Sequence, residues 1–175
     1  MGAPGPDPKE TQYIDPEEFH SRSFKESLSY AWEGLVYVYS NERNMRIHVL
    51  MGSIVISACF VCGMGRVEFF MVVLAILGVL TAEILNTLIE SLVDLLEPEF
   101  NPIAKRVKDI AAAGVLLTAG FSVVIGILAF YPILSDLPLV WQEFCAYRWR
   151  WLVACSIFVI LPSLWGMIVY NRKST

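Results

Sequence analysis

The sequence predicts an all-α membrane protein, with an N-terminal amphipathic surface helix, a bundle of three transmembrane helices and a fourth transmembrane helix at the C-terminus. Composition is the first reason: 56% of the 175 residues are hydrophobic, above the roughly 45–50% of ordinary soluble domains. The second is that apolar runs long enough to cross a bilayer, about 17–25 residues, recur along the chain. The third is that Lys and Arg cluster at alternate ends of those runs, the pattern of a multi-span protein.

Residues 1–18 form an acidic, Pro-rich tail expected to be disordered, with Pro4, Pro6, Pro8 and Pro16 and no charged-then-apolar signal sequence. Asp7, Glu10, Asp15, Glu17 and Glu18 against Lys9 alone account for the whole formal charge of −4. Beyond residue 20, acids and bases are equal in number. No basic stripe exists, so nucleic-acid binding is set aside as a class. Four cysteines are few for a disulfide framework, and Cys59, Cys62 and Cys155 fall in apolar runs. The C-x-x-C pair of Cys59 and Cys62 lacks a second pair or a nearby histidine cluster, so packing is its expected role.

From about residue 19 to 39, Phe24, Leu28, Trp32, Leu35, Val36 and Tyr39 recur at intervals of three and four, the period of one helical face. The apolar runs that follow favour a helix lying in the membrane interface, with a soluble core helix as the alternative. A first span is predicted from about Ile47 to Met64. A second starts at Val67, after the Gly63-Met64-Gly65-Arg66 turn, and runs to about Leu96. Pro98 and Pro102 predict a turn before a third span from about Ile110 to Tyr131, expected to stop at Pro132. Residues 19–134 would make the core; residues 135–175 would be a loop and a fourth span from about Trp149 to Tyr170.

Charge orients these spans. Arg43 and Arg46, then Lys105, Arg106 and Lys108, then Arg172 and Lys173 would lie on the cytoplasmic side, with both termini there. Arg148 and Arg150 fall on the opposite side against the rule, beside Trp141, Trp149 and Trp151, residues that membrane boundaries attract.

An ionisable side chain inside a span costs about 2.5–3.5 kcal/mol on insertion scales, so it asks for a partner or a function. The second span carries several. At about 100° per residue, Glu83, Asn86, Glu90 and Asp94 fall at roughly 0, −60, −20 and +20° around the helix, with Thr87 beside them. With a rise of about 1.5 Å per residue, Glu83 lies just inside the cytoplasmic leaflet and Glu90 at its headgroups. Glu42, Arg43, Asn44, Arg46 and His48 crowd the same end of the first span, and Lys105, Lys108 and Asp109 precede the third. Carboxylates and amides suit Mg²⁺, and Lys and Arg suit phosphate oxygens, which is what metal-assisted phosphoryl transfer needs. A structural ion-pair network and a proton or ion pathway use the same residue types, and composition does not choose among the three. The chain has no G-x-x-x-x-G-K-[ST] loop and no H-R-D or D-F-G triplet, so a kinase here would hold its nucleotide without the soluble kinase folds.

The stretch from Glu83 to Asp94 resembles the E-x-x-N-[ST]-x-[IL]-E-x-x-x-D signature of the prokaryotic diacylglycerol kinase and undecaprenol kinase family. Ala104 to Ala113 is similar to its A-K-x-x-K-D-x-A-A motif, and Asn41 to His48 to its N-E-x-N-x-R-x-H motif. These motifs occur in the family's order over about Arg22 to Tyr131. The resemblance implies a surface helix and three spans per subunit, a homotrimer, and phosphorylation of a lipid hydroxyl by Mg-ATP in the bacterial cytoplasmic membrane. It also implies that Glu83 is the base, that Glu42 and Glu90 hold Mg²⁺, that Asn86 orients groups at the site, that Lys108 and Asp109 engage ATP, and that Arg22 helps form the site. The motif wording is nearer the undecaprenol kinase branch, with diacylglycerol as the alternative acceptor. The tail before Arg22 and the fourth span exceed the family's minimal pattern.

Overall fold

Local chemistry sets the helix ends in the computed structural model, which describes residues 23–157 and is helical through most of them. Ser23 accepts a hydrogen bond from the Glu26 amide at 3.3 Å and so caps α1, Phe24–Asn41. Glu42 alone separates α1 from α2, Arg43–Cys62. Its backbone is extended, at φ −92° and ψ 118°, which ends one helix and starts the next. Contacts divide the chain into two units, residues 1–36 and 37–175, with the division inside α1.

In the first unit the described part of α1 is exposed on every face, and Ser29 bonds Glu33 one turn on at 3.3 Å. Residues 19–22 of the predicted surface helix, Arg22 among them, lie outside the described residues, as does the tail.

The second unit holds three helices long and apolar enough to cross a membrane: α2, α3 (Arg66–Leu96) and α4 (Pro102–Ser135). Gly63, the C-cap of α2, takes the left-handed conformation (φ 67°) that a side chain disfavours, and its amide meets the carbonyls of Cys59 and Phe60. The chain then reverses within three residues. Gly52 lies close to Ile76, and Phe60 packs on Phe69 with ring centroids 5.4 Å apart, so α2 and α3 are antiparallel. Asn101 caps α4 by accepting from the Ile103 amide at 2.8 Å, and Pro102 takes the first turn, where its missing N–H costs nothing. Lys108 pairs with Asp94, and the Ser122 hydroxyl donates to the Ala75 carbonyl at 3.1 Å, so α4 runs antiparallel to α3.

Pro132 does not end the third span. The helix continues to Ser135, because proline withholds only its own N–H bond and the three residues that follow it can still donate back along the helix. The expected loop beyond it contains α5 (Leu137–Glu143) and a π-helical turn, Phe144–Arg148. α6, Trp149–Cys155, follows, and Trp151 stacks on Phe60 at 5.9 Å and 21°. Residues 158–170 of the predicted fourth span lie outside the described residues.

Cys59, Val72 and Ala129 form the buried apolar cluster, with Val55, Met64, Phe69, Ile76 and Phe130 against it, which gives Cys59 the packing role expected of it. Most other large apolar side chains of α3 and α4 are exposed, Leu116 and Leu117 by three quarters. The interior at the other end of the helices is polar, the arrangement of a protein whose outer solvent is lipid.

Candidate active site

Antiparallel packing brings the start of α2, the end of α3 and the start of α4 to one end of the second unit. There the polar stripe of α3 turns inward: Glu83 is 1% exposed, Asn86 and Thr87 are buried, and Glu90 is half-buried. Glu83 is the most deeply buried large side chain among the described residues. The flanking Leu85, Leu88 and Leu92 face outward, so a one-sided polar pattern on an apolar helix is what drives this face into the bundle.

Bonds within α3 order the cluster. The Asn86 amide donates to Glu90 Oε1 at 2.9 Å, and the Thr87 hydroxyl donates to the Glu83 carbonyl at 3.0 Å. Neither Glu83 carboxylate oxygen, nor Asn86 Oδ1, has a hydrogen-bond partner among the described residues. Buried acceptors left open cost about 1–3 kcal/mol each, a cost that a structural network would have removed by pairing them. Glu42, at the joint between α1 and α2, lies at this same end of the second unit. It occupies the N-cap of α2, yet its side chain makes no capping bond.

Other candidates are placed differently. Lys108 is about one-third exposed and pairs with Asp94, which ties α4 to α3 beside the stripe. Asp109 pairs with Lys105 at 2.8 Å, one turn away, and both are exposed. Arg22 lies outside the described residues. Arg46 emerges as a structural member: it is 6% exposed, and its Nη1 donates to the carbonyls of Ser40 at 2.7 Å and Tyr39 at 3.3 Å. Its place in the N-E-x-N-x-R-x-H stretch was the available signal, but burial of a guanidinium is not visible in a sequence.

The donor set fits Mg²⁺. No three His, Cys, Asp or Glu side chains among the described residues are grouped as a full metal cage. Mg²⁺ does not need one, since it is commonly held by one or two carboxylates together with substrate phosphates and water. Glu90, with Asn86 fixing one of its oxygens, is one carboxylate that could serve, and Glu42 at the start of α2 is a second candidate.

Comparison with known proteins identifies the family. The family model for prokaryotic diacylglycerol kinase matches residues 29–130, more than half of the chain. A diacylglycerol kinase of Synechocystis is 38% identical over 111 residues, 62% of this chain, and the match covers 63% of that protein, just short of two thirds. An undecaprenol kinase of Bacillus subtilis is 36% identical over 112 residues, 64% of this chain and 90% of that protein. The diacylglycerol kinase of Escherichia coli K12 is 30% identical over 94 residues, 52% of this chain and 75% of that protein. No solved structure matches the chain.

Proposed function

This chain belongs to the prokaryotic diacylglycerol kinase family, and from that premise we propose that it is a lipid kinase moving the γ-phosphate of ATP to a membrane lipid hydroxyl at the cytoplasmic face. The observation that carries the reading is the Glu83 carboxylate, buried on a helix long and apolar enough to cross a membrane, with neither oxygen hydrogen-bonded among the described residues. A lipid presents its hydroxyl from the membrane, whereas ATP arrives from the cytosol nearer Glu90. Nothing in the comparisons supports a transporter.

In the proposed reaction Glu83 accepts the proton of the lipid hydroxyl as its oxygen attacks the γ-phosphorus, and the bond to the bridging oxygen breaks to release ADP. Glu42 and Glu90 would hold Mg²⁺, which when bound would neutralise phosphate charge. Asn86 keeps Glu90 oriented, and Lys108 turns from Asp94 toward the phosphates, with Asp109 near the nucleotide. Arg22 would help form the site, as the family resemblance implies. The assembly would be the homotrimer that the family resemblance implies.

Undecaprenol is the acceptor we favour, because the match spans 90% of the Bacillus subtilis undecaprenol kinase. Diacylglycerol is the second reading, carried by the 38% identity to the Synechocystis diacylglycerol kinase. Purified protein offered Mg-ATP with undecaprenol, diacylglycerol and ceramide separates them: undecaprenol should be phosphorylated with the highest kcat/KM. A preference for diacylglycerol would move the chain to the other branch.

A further inference from the structure

We propose that Arg46 is a positioning residue that fixes Glu42 at the site by clamping the end of α1 across the α1/α2 joint. The inference rests on the reading of Glu42 as a group that holds Mg-ATP. Glu42 is the single extended residue between two helices, so its direction depends on the angle between them. Its amide still donates to the Val38 carbonyl at 2.9 Å, and its carbonyl accepts from the Arg46 amide, so the residue is tied into both helices by backbone bonds. Those bonds alone leave the joint weak, because the last carbonyls of a helix have no donors within it.

Side chains meet those carbonyls. Asn41 donates to the Tyr37 carbonyl at 2.8 Å, and Arg46 spans Tyr39 and Ser40. Electrostatics explains why an arginine suits the position. A cation in the first turn of α2 opposes that helix's dipole, yet the same cation at the C-terminal end of α1 is favoured. Burying a guanidinium is expensive unless it is well bonded, so Arg46 is held where those carbonyls are and resists their movement. Arg46 thus joins α1 to α2 around Glu42, while the Glu42 carboxylate itself makes no capping bond and stays available.

A double-mutant cycle on the full chain in lipid vesicles tests this, using Glu42→Gln, Arg46→Ala and both together, with Arg46→Lys as the conservative variant. One readout is phosphate transfer as Mg²⁺ is raised. The other needs no turnover: equilibrium binding of Mn²⁺, followed by electron paramagnetic resonance, in the presence of a non-hydrolysable ATP analogue. Arg46→Ala should weaken Mn²⁺ binding about ten-fold, the scale of one charged hydrogen bond, and the double variant should be no weaker than Glu42→Gln alone. Arg46→Lys, which keeps the charge and can reach one carbonyl, should recover part of the loss. If Glu42→Gln weakens binding but Arg46→Ala does not, or if the two losses multiply, the positioning role is wrong while the role of Glu42 stands. If Glu42→Gln leaves binding unchanged, the reading of Glu42 falls and the inference with it.

Discussion

Glu83 and Glu90 share one face of α3 and are two turns apart, roughly 10 Å along the axis. On the proposed reaction they do different work: a base must reach the lipid hydroxyl, and a metal ligand must meet ATP from the cytosol. Glu83→Gln should lower kcat by about 10²-fold or more while leaving Mg-ATP binding close to wild type, since an amide keeps the shape but accepts no proton. Glu90→Gln should instead weaken Mg-ATP binding and be partly restored by raised Mg²⁺. Both should still insert and assemble, because an amide costs less to bury than a carboxylate. Steady-state kinetics with nucleotide titration checks each, and an unchanged kcat in Glu83→Gln would remove it as the base. The stripe was legible in the sequence because helical periodicity alone places Glu83, Asn86 and Glu90 together. Arg46 was not, because its burial depends on a helix break at Glu42 that no periodicity signals.

Among the elements, the contact of α2 with α3 depends on Gly52, where an added Cβ would come within 3.0 Å of Ile76 Cγ2. Gly52→Val should therefore destabilise the protein by about 1–3 kcal/mol through overpacking. Gly78→Ala, on the open side of α3, should be neutral or slightly stabilising, since helix propensity rises and nothing is met. Thermal unfolding in detergent compares the two, and equal losses would deny the close approach. Asp94→Asn should cost no more than about 1 kcal/mol because its pair with Lys108 is partly exposed and screened. Lys108→Ala should mainly raise the KM for ATP, and a change confined to stability would leave that lysine a structural tie. Apolar runs revealed the three long helices in advance. The extension of α4 past Pro132 stayed hidden because a proline near a helix end need not stop it.

For the whole molecule, the matched family region ends at residue 130, whereas α6 packs on α2 through Trp151 and Phe60. Ending the chain after Ser135 should thus keep phosphate transfer near the wild-type rate while lowering thermal stability, since a stacked aromatic pair is worth about 0.5–1.5 kcal/mol. Loss of transfer in a folded truncated protein would make the C-terminal segment part of the catalytic unit. Phosphoryl transfer to lipid is the work proposed for the buried carboxylates of α3. Its most direct measurement is transfer of ³²P from γ-labelled ATP to lipid by purified wild-type and Glu83→Gln proteins in the same vesicles, with ion flux recorded in parallel. Wild type should label an undecaprenol or diacylglycerol acceptor in a Mg²⁺-dependent way, Glu83→Gln should label almost none, and neither should carry ions. Ion flux by wild type without labelled lipid would make the protein a transporter, and equal labelling by both proteins would remove Glu83 from the reaction.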